Sequence, residues 1–258
     1  MINYLLDKWK KDLQGWSIPE DILNSASENP WIHPPVLFQL PEKIQASFSH
    51  QIAREALLPK GSVLDIGCGG GIATFANSDV TNLAIGIDHQ KEMIEMYENN
   101  AKERAIPVKT IEGFWPEVAG KVETVDVVLC HHVVFNVPEI ENFVHELNSH
   151  ARKRVVIEMP YQHPLSTMNN AWKHFWNLER PVAPTADDFF NILESLGHKP
   201  KMKRWQGEMR SGLDQDLAAK FLRIRLCLPE AREVEVKEFM NKYPESKERD
   251  LATIWWDK

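Results

Sequence analysis

The sequence predicts an α/β fold in which helices cover both faces of an open, mainly parallel sheet. Three observations predict it. Residues 63–71 read VLDIGCGGG, an apolar strand that ends on an acidic residue and breaks into glycines. Residues 83–88 read LAIGID, a second apolar strand that also ends on a carboxylate. Strand-like and helix-like segments then alternate as far as residue 160, which is typical of a doubly wound sheet with right-handed crossovers.

We expect about seven strands in this sheet. Short apolar runs place the first five, with helices between them. Two further strands are expected in the C-terminal half. The predicted strands span residues 62–66, 83–87, 107–111, 125–130, 154–159, 201–206 and 252–256.

Helices with prolines between them are predicted before the first strand. Residues 17–21 are typical of a helix start, and a longer helix is predicted over residues 41–57. An earlier helix is indicated by apolar side chains at helical spacing, which are Leu5, Leu6, Trp9 and Leu13.

The C-terminal half contains two stretches that a minimal sheet does not need, residues 160–184 and 213–243. Between them, Thr185 begins a capping-box pattern for a helix that reaches Leu196 and stops at Gly197. We expect these insertions and the N-terminal helices to form a cap over the sheet. The chain is therefore predicted to be one domain, with an N-terminal helical cap at 1–60, a sheet core at 61–160 and a C-terminal half at 161–258.

Composition argues against several classes of partner. The chain has 30 basic and 37 acidic residues, a net charge of −7, and no extended basic stripe, which disfavours a nucleic-acid substrate. Its three cysteines lack the C-x-x-C spacing of a structural zinc site and do not suggest a disulfide framework. No apolar run is long enough to span a bilayer, and the N-terminus lacks a secretory layout. We expect a cytoplasmic protein with no membrane or metal partner; the oligomeric state is not indicated.

The spacing of the glycines limits which classes of ligand the first turn is expected to bind. A dinucleotide fingerprint, G-x-G-x-x-G, fails in both registers because Ile72 and Thr74 stand where the third glycine belongs. A phosphate-binding P-loop fails because no Gly-Lys-Ser/Thr follows. The pattern that fits is acidic-x-G-x-G-x-G, formed by Asp65, Gly67, Gly69 and Gly71.

Three segments together resemble the class I S-adenosylmethionine-dependent methyltransferases. The glycine run is similar to the family's first motif, and residues 83–88, followed by HQKEM at 89–93, resemble its second strand and ribose-binding acid. Residues 126–138, DVVLCHHVVFNVP, resemble the fourth strand and the turn that faces cofactor and acceptor. The resemblance covers roughly residues 60–160. It implies a Rossmann-like methyltransferase sheet whose last strand is antiparallel.

The resemblance implies S-adenosylmethionine as cofactor and S-adenosylhomocysteine as product. The glycine loop and Asp65 would hold the methionine moiety. Asp88 would accept hydrogen bonds from the ribose hydroxyls; the alternative is that it only caps the next helix. Phe114 stands where many relatives have an acid, so it either stacks on adenine or packs in the core. The expected cofactor-binding residues are Asp65, Gly67, Cys68, Gly69, Gly71, Asp88, His89, Met93, Gly113, Phe114, Cys130 and His131.

Methyl transfer from a sulfonium needs positioning, exclusion of water and sometimes removal of a proton. The candidates for proton handling are His131, His132 and Asn136, just past the fourth strand, with Glu158, Tyr161 and His163, past the fifth strand, as further candidates. The alternative is that both histidines are ordinary packed or surface residues. An aromatic acceptor pocket is predicted from Trp16, Trp31, Tyr161, His163, Trp172 and Trp176, although large side chains also serve simply to pack helices on a sheet.

These observations predict a methyltransferase that acts on an oxygen, nitrogen or carbon atom of a small molecule. A non-catalytic S-adenosylmethionine-binding protein with the same fold is the main alternative. A nicotinamide-dependent oxidoreductase is a third, which the failed dinucleotide registers disfavour.

Overall fold

The fold is built on one seven-stranded sheet. The structure, a computed structural model, describes residues 2–31, 35–208, 214–244, 246 and 248–258. The strands are β1 (Gly61–Ile66), β2 (Thr81–Asp88), β3 (Val108–Glu112), β4 (Val125–His131), β5 (Ala151–Pro160), β6 (Lys201–Glu208) and β7 (Glu248–Asp257). All seven predicted strands are present, and the largest error is at the start of β7.

The strand order is β3-β2-β1-β4-β5-β7-β6. Strands β1 to β5 pair in parallel, whereas β7 is antiparallel to both β5 and β6. This confirms the expected sheet with an antiparallel last strand. The order reverses beside β1, and the carboxyl ends of β1 and β4 flank this switch point, where open α/β sheets bind their ligands.

Helices cover the two faces of the sheet. They are α1 (Ile2–Gln14), α2 (Glu20–Leu23), α3 (Phe48–Leu57), α4 (Ile72–Phe75), α5 (Lys91–Glu103), α6 (Ile140–His150), α7 (Asn169–Trp176), α8 (Ala186–Ser195), α9 (Gln215–Arg225) and α10 (Glu233–Lys242). On one face, Leu64 and Ile66 pack with α6 and α8, and on the other face Val63 packs with α3. Side chains alternate along a strand, so Asp65 shares the α3 face.

The predicted helix over residues 41–57 is wrong in its first part, because α3 begins at Phe48. Ser47 caps it: the Ser47 hydroxyl accepts from the His50 amide, and the His50 ring accepts from the Ser47 amide. The reciprocal bonds fix the helix start at Ser47. The capping box at Thr185 is confirmed, and Gly197 follows α8 with φ +88°.

The two insertions pack against the N-terminal segment. Helix α7 lies in the first insertion, and α9 and α10 lie in the second, whose expected first residue, Leu213, is outside the described residues. Their apolar side chains form one cluster with Ile18 and Ile22, near and within α2. By contrast α1 packs beside α8 through Trp9. Among the described residues, no helix is long and apolar enough to cross a membrane.

Candidate functional site

The glycine turn after β1 requires glycine at several positions. Gly67, Gly69 and Gly71 have φ values of +66°, +49° and +89°, which side chains strongly disfavour. A Cβ on Gly67 would lie 2.5 Å from Val133 Cγ2, and one on Gly71 would lie 2.2 Å from Phe75 Cε2. The turn therefore brings bare backbone close to the start of α4 and to the residues after β4.

Phe38 lies against this turn from the N-terminal segment. A Cβ on Gly70 would lie 2.1 Å from the Phe38 carbonyl oxygen, and one on Gly69 would lie 3.2 Å from Phe38 Cδ1. Phe38 ends a short 3-10 turn, Pro35–Phe38. The sequence carries no motif at Phe38, so this contact could not be predicted from it.

Asp65 ends β1 as a buried carboxyl group. Its Oδ2 accepts from Thr74 Oγ1 at 2.8 Å, and Thr74 Oγ1 lies 2.9 Å from the Tyr97 hydroxyl. Burial raises the pKa of Asp65 and the nearby charge of Asp88 adds to the rise, while the hydrogen bond from Thr74 opposes it, so that the pKa is about 7. Asp65 is therefore a carboxyl group that titrates near neutral pH.

Asp88 ends β2 directly beside the glycine turn. Its Oδ2 accepts from the Gly69 amide at 3.1 Å, and its Oδ1 accepts from the Gln90 amide at 3.0 Å. The neighbouring His89 ring stacks on Phe114 with 4.7 Å between centroids, and Phe114 is 58% exposed. Each carboxylate oxygen keeps a lone pair, since a carboxylate accepts about four hydrogen bonds. Asp88 is thus a fixed hydrogen-bond acceptor, and the exposed ring of Phe114 lies nearby.

Four further predicted cofactor residues are buried or closely packed. Cys68, Met93 and Cys130 are buried, and burial raises the pKa of both thiols. Gly113 has φ +152°, and a Cβ there would lie 2.5 Å from Val118 Cγ1.

A cluster of histidines surrounds Glu158 at the carboxyl ends of β4 and β5. His132 Nε2 lies 3.0 Å from Glu158 Oε1, and Ser47 Oγ donates to Glu158 Oε2 at 2.9 Å. The His132 amide also donates to the Glu158 carbonyl at 2.7 Å, and the ring of His131 stacks on that of His50 with 5.7 Å between centroids. Ser47 and His50, missed by sequence reasoning, come from the start of α3. We name these five residues the histidine cluster.

Glu158 is ionised although it is buried. Burial by itself would raise the pKa of the carboxyl, but attraction to His131, a hydrogen bond from His132 and attraction to His50 hold that pKa well below its ordinary value. An ionised carboxylate only accepts hydrogen bonds, so His132 Nε2 carries the hydrogen between the two groups. His132 has φ +62° and is thus held in a sparsely populated conformation.

The other residues predicted near the acceptor are spread over this edge of the sheet. Asn136 is exposed at the end of the 3-10 turn Val134–Asn136. Tyr161 donates from its hydroxyl to Asp187, away from the histidine cluster. His163 is buried, stacks on Trp16 with 4.1 Å between centroids, and contacts the edge of Phe135.

A cavity of about 570 Å³ opens beyond the end of β5. It lies between the two insertions and the start of β7. Its wall combines apolar side chains such as Met168 and Phe239 with polar ones such as His163, Asn170 and Lys242. The volume and the mixed lining suit a small organic molecule.

Three of the four predicted pocket tryptophans line a second, much smaller cavity of about 10 Å³. They are Trp16, Trp31 and Trp172. Trp176 lies apart: its Nε1 donates to the Leu226 carbonyl at 2.7 Å, and its ring packs on the cluster of the two insertions. Across the part of the chain that the structure describes, no group of three or more histidine, cysteine or acidic side chains could hold a metal ion.

Comparison with known proteins agrees with this geometry. A family model described as "Methyltransferase domain" matches residues 63–154, which include the glycine turn, Asp88 and His132. The ubiquinone biosynthesis O-methyltransferase of Bartonella quintana (strain Toulouse) is 24% identical over 147 residues, 57% of each chain. Residues 63–154 therefore match a methyltransferase domain, and this similarity supports the resemblance to the class I S-adenosylmethionine-dependent methyltransferases. The chain spans only 57% of that curated relative's length.

Solved methyltransferase-like structures share the fold. The YcgJ protein of Bacillus subtilis has a TM-score of 0.55 at 17% identity, over 81% of this chain and 97% of that one. A methyltransferase from Thiobacillus denitrificans, solved with S-adenosylhomocysteine, has a TM-score of 0.50 at 19% identity, over 94% and 100%. At these identities the likeness shows the fold alone.

Proposed function

We propose that this protein transfers a methyl group from S-adenosylmethionine to a small-molecule acceptor. The observation that carries the proposal is the placement of two sites at one edge of the sheet. The glycine turn and Asp88 lie at the ends of β1 and β2, while the histidine cluster lies at the ends of β4 and β5, with the cavity beyond. An in-line displacement needs donor and acceptor side by side in this way.

The residues at the glycine turn fit the proposed cofactor. Positive φ values and crowded Cβ positions require glycine at the turn, so its backbone carries no side chains there. Asp88 accepts hydrogen bonds from two backbone amides, and each of its oxygens has a further lone pair. S-adenosylmethionine, when bound, would supply the methyl group. Asp88 would accept from the ribose hydroxyls, the turn with Asp65 would hold the methionine moiety, and Phe114 with His89 would lie beside the adenine.

The histidine cluster suits a hydroxyl acceptor. Glu158 holds the His132 ring so that Nδ1 can accept a proton, and a hydroxyl must lose a proton as its oxygen is methylated. We assign His132 as the general base and Glu158 as the positioning residue. His131 and Asn136 stay candidates for contact with the acceptor. The similarity to an O-methyltransferase supports the same acceptor atom. With three buried free thiols, we place the reaction in the cytoplasm.

Titration calorimetry with S-adenosylmethionine, S-adenosylhomocysteine and NAD tests this proposal. We expect micromolar binding of the first two and none of NAD. Turnover of a hydroxyl compound with release of S-adenosylhomocysteine separates the enzyme from the alternative, a non-catalytic binding protein. Folded protein that binds NAD alone, or none of the three, contradicts the proposed function.

Replacing Asp88 with alanine should weaken S-adenosylmethionine binding at least tenfold. The substitution removes a charged acceptor that can bind two hydroxyls at once. It also releases the Gly69 amide that Asp88 holds at 3.1 Å. The dissociation constant by calorimetry is the measurement, and an unchanged constant removes Asp88 from the site.

Asp79→Asn is the matched control for that change. Asp79 precedes the opposite, amino end of β2 and binds Arg54 with both oxygens at the surface. Its loss should leave cofactor affinity unchanged, because the surface pair is far along the strand from the glycine turn.

Cofactor binding should release protons if Asp65 lies near the methionine ammonium. With a pKa of about 7, Asp65 is largely protonated in the free protein at pH 6.5. A bound ammonium favours the ionised form, so binding should release up to about one proton. Calorimetry in buffers of different ionisation enthalpy measures this release. The number of protons released should be smaller for Asp65→Asn than for the wild type. Equal numbers would mean that the ammonium group does not bind near Asp65.

A further inference from the structure

Two arginine side chains line the small cavity between the N-terminal segment and the insertions. Arg180 comes from the first insertion and Arg225 from α9. The Arg180 guanidinium lies 5.4 Å from the ring centre of Trp16 and 5.3 Å from that of Trp172. We name this space, with Trp16, Trp31 and Trp172, the arginine cavity.

Arg180 is incompletely satisfied by the protein. Its two terminal nitrogens donate to the backbone carbonyls of Trp16 and Ser17. The Arg180 side chain is only partly buried, but its Nε is inaccessible and has no hydrogen-bond acceptor among the described residues. Burial lowers the pKa of Arg180 and also that of Arg225. A partly buried guanidinium with one donor left unpaired gains from an anionic acceptor, so this cavity favours an anion.

The positive field reaches the larger cavity. His163, which lines the larger cavity, has a pKa lowered to about 3 by burial and by the charge of Arg180. Its imidazole is therefore neutral and adds no charge of its own. Met168 lines both cavities, so they share a wall, and an unbranched methionine can rearrange to connect them.

We propose that the arginine cavity holds the carboxylate of the methyl acceptor, and that the acceptor is a small aromatic hydroxy acid. This inference rests on the proposed function. As it stands, the cavity of about 10 Å³ has room for about one water-sized group, which fits a carboxylate oxygen rather than a ring. The ring belongs in the larger cavity, and the guanidinium of Arg180 suits a planar carboxylate. The indole rings of Trp16 and Trp172 lie beside the guanidinium and shield part of it from water, which strengthens an ion pair there.

A matched pair of ligands tests the assignment without any mutation. The protein saturated with S-adenosylhomocysteine is titrated with 4-hydroxybenzoate and with 4-hydroxybenzamide, followed by calorimetry and tryptophan fluorescence. The two differ only in the charge and donors of one group. We expect the acid to bind at least tenfold more tightly than the amide. Equal affinities, or no binding of either, overturn the proposal.

Variants locate the preference at Arg180. In Arg180→Gln the acid should bind within threefold of the amide, and in Arg180→Lys part of the preference should remain. Lys173→Gln is the control, because Lys173 lies on the same insertion but is exposed and paired with Glu179. If Arg180→Gln does not fold, the wild-type comparison still decides. If the wild type binds S-adenosylhomocysteine but does not prefer the acid to the amide, only the role of the arginine cavity is overturned. If the wild type does not bind S-adenosylhomocysteine, the proposed function is overturned.

Discussion

The difference in the free energy of unfolding between Asp65→Asn and the wild type should depend on pH. On going from below pH 4 to pH 8, it should shift in favour of the variant by about 4 kcal/mol. The carboxyl has a pKa of about 7 in the folded protein and an ordinary value of 3.8, a difference of about 3 units at about 1.4 kcal/mol each. The folded state therefore binds more protons than the unfolded state between these values. Wild-type stability falls as pH rises through this window and levels off above pH 7.

Chemical denaturation from pH 5 to pH 8 measures this effect. Roughly half to two thirds of it should accumulate within that range, since about 2 units of the shift lie above pH 5. The asparagine keeps an oxygen for the Thr74 hydroxyl but has no charge to bury. A variant whose stability follows that of the wild type at every pH would mean that Asp65 is ionised in the folded protein.

Thr74→Val provides a second check on the same carboxyl. The Thr74 hydroxyl donates to Asp65 at 2.8 Å and stabilises its ionised form. Without that donor, the wild-type decline in stability should extend to higher pH. A destabilisation independent of pH would instead reflect lost packing alone.

The strands and the cofactor edge could be predicted because their signals are local. A short run of apolar residues marks each central strand, because both faces of the sheet are covered, and a strand that ends on a carboxylate places Asp65 and Asp88 at the same edge of the sheet. The spacing of the glycines follows from backbone conformation, since Gly67 and Gly71 adopt positive φ. Such requirements are written into a few consecutive residues, so the sequence displays them.

The histidine cluster could not be predicted as a unit because it forms between distant segments. Glu158 is 111 residues from Ser47, and the two meet only because α3 packs against β4 and β5. The sequence near Ser47 was also misread, since a histidine takes the place of the usual acidic residue in the capping box. His131 and His132 were singled out by position, whereas the carboxylate that orients His132 became evident from the fold.

The arginine cavity shows a different limit of sequence reasoning. The predicted group of tryptophans is Trp16, Trp31, Trp172 and Trp176, and all but Trp176 line one cavity. Neither Arg180 nor Arg225 stands out in the sequence, because an arginine is normally a solvated surface residue. Their significance follows from their place in the lining of one cavity, with Arg180 beside two indole rings, which depends on how three separate segments pack.

Glu158→Gln should destabilise the protein at pH 7 by about 2 kcal/mol and lower turnover of a hydroxyl acceptor about 100-fold. Glu158 has a pKa held below its ordinary value of 4.5, so its contribution to stability is present above pH 4.5 and is lost as pH falls. The contribution of Glu158 to stability therefore increases with pH, whereas that of Asp65 decreases with pH. A glutamine can still accept a hydrogen bond but no longer stabilises an imidazolium at His132.

Denaturation at pH 7 and pH 4, with cofactor affinity as a further readout, separates positioning from general structure. The stability difference should shrink towards pH 4, and the affinity for S-adenosylhomocysteine should not change, because Glu158 lies at β4 and β5 rather than at the glycine turn. Glu55→Gln, at an exposed surface pair with Arg154, should change neither quantity appreciably. If Glu158→Gln keeps full turnover while losing stability, Glu158 stabilises the fold, and His132 does not depend on it to accept the proton.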